Sequence, residues 1–275
     1  MRLAQIHHLL RNEPLLCDSA YRITLLEMFQ QHAEMERDEY LHLRTGKARS
    51  GSELDVQQME VEDGVAIIPV GGPLGQNLGE FEKGAGAVDF DDIRSELQEA
   101  EADEEVGSIV LNFDSPGGMV SGTPETAAAI LDVDKPIYAW TRGTMASAAY
   151  WLAAATDGIF ATPSAVVGNI GVSMVFHDLS KLAELSGVKV KVFSSGPYKG
   201  MGTPGTSLTQ EQELFLRARV MQIAEEFYHH VQDRRPAIKD EDMQGQFYSG
   251  NDAIVRGFVD DLMPDLDTLT RFLSQ

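Results

Sequence analysis

Thr144-Met145-Ala146-Ser147-Ala148-Ala149-Tyr150 stands between a strand-like run, Pro136-Ile137-Tyr138-Ala139-Trp140, and an apolar helix-like run from Ser147 to Ala155. It reads as a strand that turns into a helix at a serine. Such a serine lies at the open end of a sheet. There its hydroxyl can be exposed, and the N–H groups of the first helical turn have no intrahelical partner and can bind an anion. Nucleophilic serines that attack carbonyls favour such junctions. An N-cap serine ahead of an ordinary buried helix fits the same seven residues, so the rest of the chain has to decide.

Outward from this stretch, strands and helices alternate. Val65 to Val70 is a strand closed by Gly71-Gly72-Pro73, and a glycine-rich loop continues through Gly86. Asp89 to Ala102 is a helix with Phe90, Ile93, Leu97 and Ala100 on one face and acids opposite. Ser108 to Phe113 is a buried strand ending in Asp114-Ser115-Pro116-Gly117-Gly118, and Thr123 to Leu131 is a helix. Lys135 to Trp140 and Gly158 to Ala161 are strands on either side of the Ser147 helix. A helix from Asp178 to Leu185 leads to a strand from Val188 to Phe193. Thr209 to about Gln232 is a long helix with Leu214, Leu216, Val220, Ile223, Phe227 and Val231 as its buried stripe, and Phe247 to Leu262 carries a short helix stopped at Gly257. This alternation requires βαβ crossovers and a mostly parallel sheet, an α/β fold.

The 275 residues suffice for one large domain with an extension, and the 43% apolar content is that of a globular protein. The formal charge of -21 argues against nucleic acid or anionic lipid as a partner. A single cysteine, Cys17, excludes an internal disulfide. The amino terminus lacks a signal-peptide core, and no apolar run is long enough for a membrane span, so a cytoplasmic protein is expected. Residues 1 to about 45 read as helices, from Leu9-Leu10, Leu15-Leu16, Ile23, Leu25-Leu26 and Phe29, with a linker from Arg44 to Glu60. We expect residues 1–60 to be a helical extension and linker and 61–275 the main domain. His7, His8 and His32 lack partners at metal-ligand spacing and read as a helix face, so neither metal nor cofactor is expected.

Ligands of an open parallel sheet bind beyond the carboxyl ends of its strands. Three unusual stretches follow strands: Ser115-Pro116-Gly117-Gly118, Ser147, and Ser195-Gly196-Pro197-Tyr198-Lys199-Gly200. The glycine pair lets backbone N–H groups approach a ligand closely, and with the N–H of Ala148 it can form a two-donor oxyanion hole. A serine nucleophile needs a base. Lys199 qualifies if apolar burial favours its neutral amine; His177, followed by Asp178, offers a Ser-His-Asp alternative. His229-His230 lie on the long helix and read as surface.

Ser-Pro-Gly-Gly at 115–118, Met-Ala-Ser at 145–147, Gly-Asn-Ile-Gly-Val at 168–172, Ser-Gly-Pro-Tyr-Lys-Gly at 195–200 and Tyr-Ser-Gly-Asn-Asp-Ala at 248–253 come in the order of the signal peptide peptidase A-like serine proteases. The chain resembles that family from about Val65 to Leu262, and within it the soluble phage prohead (capsid) protease C type. The resemblance implies a ClpP/crotonase-like fold, a Ser147–Lys199 dyad, and oxyanion N–H groups from Gly118 and Ala148. It places the base on Lys199 rather than His177. It also implies cyclic homo-oligomers acting on polypeptide substrates, with active sites facing inward or assembled between neighbours.

Two departures stand out. Asn169 occupies a position where the family often has a serine that hydrogen-bonds the lysine ammonium; an asparagine carbonyl can accept the same bond, so Asn169 is expected to orient Lys199. Ala148-Ala149 replace glycines of many relatives, which narrows the site. The chain also lacks the anchor of the membrane-bound members, which favours the phage or prophage type, working in the cytoplasm or within a procapsid. The expected function is thus a Ser-Lys endopeptidase of capsid maturation. The alternatives are a bacterial signal-peptide-peptidase-like enzyme degrading peptides, an acyl-CoA enzyme of the same fold, in which the lysine motif would be idle, and an assembly component with a vestigial site.

Overall fold

The computed structural model describes residues 15–17 and 58–274. The expected helices of residues 1–45 and the linker that follows lie outside the described residues, except that Leu15–Cys17 forms a strand, β1. Two compact units emerge. Among the described residues, the larger holds 16–17, 58–171 and 227–274, and the smaller includes 172–226.

In the larger unit, β2 (Glu60–Glu62) and β3 (Val65–Gly71) form a hairpin. Its two-residue turn, Asp63-Gly64, has positive φ at both positions, 49° and 80°, which matches the twist of the strands it joins. β3 is buried on both faces, as a central parallel strand must be. After β4 (Leu74–Gly75), the short α1 (Glu80–Gly84) and β5 (Val88–Asp89) comes α2 (Phe90–Ala102). Asp89 caps α2: one carboxylate oxygen accepts from Asp91 N–H at 2.9 Å, and the other accepts from Leu78 N–H at 2.5 Å. Phe90, Ile93, Leu97 and Ala100 are buried as the pattern predicted.

Glu96, on the same helix, is half-buried. Burial pushes its carboxyl from an ordinary 4.5 up to about 7, with Asp92 and Glu99 adding to the rise and a backbone hydrogen bond with Met59 opposing it. Between those two values the folded chain keeps a proton that the unfolded chain has released. Stability should therefore fall as pH rises through that window. Glu96→Gln should shift the urea midpoint upward at pH 8 and hardly at all at pH 4.

β6 (Ser108–Ser115) runs parallel to β3, and β7 (Gly117–Met119) follows after one residue. α3 (Thr123–Leu131) has the predicted bounds. β8 (Ile137–Ala146) is longer than the sequence suggested and leads into α4 (Ala148–Ala154). β9 (Gly158–Ala161) pairs with the first half of β8, and β10 (Val166–Gly168) with the second.

α5 (Ser180–Leu185) lies in the smaller unit, and the boundary between the units falls within α6 (Gln210–Arg234), after Glu226. The chain ends with β11 (Phe247–Ser249), α7 (Gly250–Arg256), β12 (Asp261–Leu262) and α8 (Leu266–Leu273). Gly257 closes α7 in a left-handed cap, as expected.

The main sheet has the order β11-β10-β8-β6-β3-β2, with β9 and then β12 joined to β8. All its pairings are parallel except β2–β3 and β10–β11. This is the mostly parallel sheet with crossover helices that the sequence predicted. A smaller sheet has the order β1-β7-β4-β5. Val65, Val110, Trp140 and Phe160 pack against Leu269 of α8, with Leu266 and Leu273 closing the rim.

Arg235, one residue past α6, donates from Nη1 to both oxygens of Asp260 at 2.8 and 2.6 Å, and Asp260 also accepts from Ile159 N–H at 2.7 Å. The guanidinium is buried and the carboxylate is half-exposed. Asp260→Ala should strand that buried cation and cost about 3 kcal/mol, read as a fall in the urea midpoint.

Three readings are corrected. Val188 to Phe193 is not a strand. Its Val-Lys alternation suits a half-buried strand, but it pairs with no strand among the described residues, and Val188, Val192 and Phe193 are exposed. On α6, Ile223, Phe227 and Val231 are buried as predicted, whereas Leu214 is 59% exposed and Leu216 and Val220 are only half-buried. His230 is not a surface residue. It stacks on Trp151 at 5.7 Å and donates from Nε2 to the Trp151 carbonyl at 3.0 Å, and burial holds its imidazole below the ordinary range.

Candidate active site

The end of β8 is built around a bulge. β6 and β8 run in register from Ile109↔Ile137 to Phe113↔Thr141, and then Ser115 pairs with Met145. The surplus residues of β8, Arg142 to Thr144, arch out. Asp114 holds the arch by accepting from Thr144 N–H at 3.0 Å, and Gly143 N–H donates to Thr141 Oγ1 at 3.1 Å. A Cβ on Gly143 would stand 2.7 Å from the Asp114 carboxyl carbon, so any larger residue there would have to push aside the carboxylate that holds the arch. Asp114 was not among the predicted site residues. Its signals were an isolated glycine within a strand pattern and an acid directly before Ser-Pro-Gly-Gly.

The bulge delivers Ser147 to the junction of β8 and α4 with φ 55° and ψ −119°. That backbone region suits glycine, and a residue with a Cβ is strained there. The surroundings enforce it: Ser147 N–H donates to Gly168 C=O at 2.8 Å, and Ser147 C=O accepts from Trp151 N–H at 2.9 Å. The side chain is fully buried, and its Oγ has no hydrogen-bond partner among the described residues. A buried hydroxyl without a partner costs about 1–3 kcal/mol. Strain and an unpaired hydroxyl on one residue mark a site kept for chemistry rather than stability.

Ala148 opens α4, every residue of which is buried. Its N–H belongs to the first helical turn, where no intrahelical acceptor exists. α4 packs against β7, the strand that carries Gly118. Gly117, with φ 97°, donates its N–H to Ser115 Oγ at 3.2 Å. Gly118 pairs with Leu74 of β4, and a Cβ there would fall inside contact distance of the Leu74 carbonyl oxygen and within 2.6 and 2.7 Å of its carbon and nitrogen.

Asn169 follows Gly168, which accepts the Ser147 N–H. It too has positive φ, 53°, and is anchored by Asn169 N–H to Gln246 C=O at 2.7 Å and Nδ2 to Gly245 C=O at 3.1 Å. With Nδ2 engaged, the amide oxygen is the end left to accept. Ser147, Ala148 and Asn169 are thus brought together where β8 and β10 end, with α4 leading from them against β7.

Lys199 belongs to the smaller unit. It is exposed, and its backbone N–H donates to Gly196 C=O at 3.2 Å. The loop around it is fastened to the start of α6. Tyr198 Oη donates to Glu211 at 2.7 Å, the Tyr198 and Phe215 rings lie 4.7 Å apart, and Gln212 donates to Pro197 C=O at 2.5 Å. The Glu211 carboxylate holds the Tyr198 phenol above its ordinary range. His177, the rival base, is exposed in the same unit. Asp178 accepts from Ser180 N–H at 2.9 Å at the start of α5, and hydrogen bonding with the Ser180 side chain first, then with that N–H, holds its carboxyl below the ordinary range.

No cluster of three potential metal ligands occurs among the described residues, and His7, His8 and His32 lie outside them. No described helix is long and apolar enough to cross a membrane.

The chain is 30% identical over 216 residues to the capsid assembly protease C of Escherichia phage lambda, covering 77% of this chain and 49% of that protein. It is 30% identical over 223 residues to the head-tail preconnector protein GP5 of Enterobacteria phage P21, covering 76% and 44%. The chain therefore spans about half the length of these relatives. A mutant ClpP1 from Listeria monocytogenes aligns over 78% of this chain and 96% of its own at 14% identity, with a TM-score of 0.49. The profile of Peptidase family S49 matches residues 129–273, a stretch holding both Ser147 and Lys199. On that match and on the relatedness to the lambda protein, the chain belongs to peptidase family S49.

Proposed function

We propose that the protein is a serine endopeptidase with a Ser147–Lys199 dyad, cleaving extended polypeptides in the maturation of a phage or prophage capsid. The observation that carries the reading is Ser147 itself: a strained backbone at a strand-to-helix junction, presenting a buried hydroxyl with no hydrogen-bond partner among the described residues. Membership of the peptidase family and the lambda relative's name support it further.

In this reading bound substrate shields Lys199 from water so that its amine is neutral, and that amine takes the proton from Ser147 Oγ as Oγ bonds to the substrate carbonyl carbon. The carbonyl oxygen becomes an oxyanion facing the N–H groups of Gly118 and Ala148. Asn169 Oδ1 accepts from Lys199 and aims its Nζ. Collapse of the tetrahedral adduct breaks the C–N bond, and the Lys199 ammonium gives its proton to the leaving amine. Water then attacks the acyl ester, its proton passes to Lys199, and Oγ leaves with that proton. A cyclic homo-oligomer is part of the proposal. The domain limits, an extension to residue 60 and a protease domain from 61, are likewise proposed.

A fluorophosphonate probe should label the full-length protein on Ser147, located by mass spectrometry of the tryptic peptide, and Lys199→Ala should slow labelling. Absence of label on Ser147 in folded protein would remove the nucleophile from this account.

A further inference from the structure

β7 has a neighbour on each side. One is β4, and the other is β1, in the order β1-β7-β4-β5. Leu16 and Cys17 of β1 fall with β7 in the larger unit. Without β1, the three residues Gly117–Met119 would form an edge, with one row of backbone N–H and C=O groups open for pairing. This edge carries Gly118 and lies against α4, the helix that begins one residue after Ser147. A peptide bond reaches both a nucleophile and oxyanion donors only if the polypeptide is extended, and extended peptides dock by adding a strand to an edge. This edge, packed against the helix that follows Ser147, is therefore already taken by an extended piece of the same chain.

We propose that Leu15–Cys17 is an internal occupant of the substrate strand position: it pairs with β7 where an extended polypeptide would, and substrate has to displace it. The proposal rests on the serine-peptidase reading for the nature of the displaced ligand, and on the sheet order alone for the occupant. Main-chain hydrogen bonds carry such pairing, so the occupant need not match the side-chain preference of the site. The consequence is competitive. The apparent affinity for substrate is reduced by the fraction of molecules in which β1 is seated, while the chemical step is untouched.

Leu16→Pro in the full chain tests this, because proline lacks the N–H and is rejected from a paired strand. KM for an extended fluorogenic peptide should fall about fivefold with kcat unchanged, whereas Leu16→Ala, which keeps the backbone, should leave KM near that of the native chain. An unchanged KM in folded Leu16→Pro would overturn the proposal.

A second measurement stands if that variant does not fold. Hydrogen exchange on full-length Ser147→Ala should find the amides of residues 15–17 protected in the free protein and released when a synthetic peptide with the sequence of residues 11–21 saturates it. Unprotected amides in the free protein, or amides that stay protected at saturation, would refute the occupancy. A chain that protects residues 15–17 but never labels at Ser147 would refute the peptidase reading and leave the strand pairing in place.

Discussion

Ser147→Ala should lower kcat/KM for peptide hydrolysis by about 10⁴-fold or more while leaving a folded protein. Lys199→Ala should produce a loss of the same order, and the double variant should be little worse than either single one, because a nucleophile and its base act as a unit. Initial rates on one fluorogenic peptide, with the three variants side by side, give the comparison. A near-native rate in either single variant would take that residue out of the mechanism, and additive losses would mean the two residues act separately. The same position should show the opposite trade in stability. Ser147→Ala keeps the strained backbone, φ 55° and ψ −119°, whereas Ser147→Gly removes the Cβ that makes it costly. Ser147→Gly should therefore be inactive yet more stable by about 1 kcal/mol, seen as a higher urea midpoint.

Gly118→Ala should cost about 10²–10³ in kcat, the usual effect of losing one oxyanion donor. The cause is steric rather than chemical, since alanine keeps the N–H. Its Cβ would collide with the Leu74 carbonyl, carbon and nitrogen. Backbone atoms cannot swing aside as a flexible side chain can, so β7 has to move away from β4 and carry the Gly118 N–H off its target. A stability loss of about 1–3 kcal/mol should accompany it. Ala148→Gly makes the contrasting case: it keeps the N–H with no collision and should retain most activity, which separates misplacement of the donor strand from general damage near the site. If Gly118→Ala cleaves at the native rate, the developing oxyanion is not held at β7.

Much of this protein was legible from local pattern. Phe90, Ile93, Leu97 and Ala100 recur at helical period and are buried together on α2, and α3 and β9 begin and end where the sequence put them. Helix period, turn chemistry and caps act within a few residues, so a linear reading captures them. Val188 to Phe193 misled because alternation states only that a strand is possible. Whether one forms depends on a partner that the pattern does not name. Leu214 misled for a related reason: a helical stripe shows where apolar residues line up, not how far along the helix the covering elements extend. Asp114 went unnoticed because its role, holding the arched end of β8, exists only when β6 and β8 lie side by side.

The sequence alone determined the alternation of strands and helices, the parallel sheet, and the ordered motifs that singled out Ser147, Gly118, Ala148, Asn169 and Lys199. Only the tertiary structure decided that Ser147 sits strained with its Oγ unpartnered among the described residues, that Gly118 is pressed against the backbone of Leu74, and that Leu15–Cys17 runs beside β7. Each of these depends on backbone groups from distant parts of the chain meeting at hydrogen-bond or contact distance. Residue identity sets local conformational preference, but a peptide N–H or C=O is the same in every residue. Which of them meet is a property of the assembled sheet.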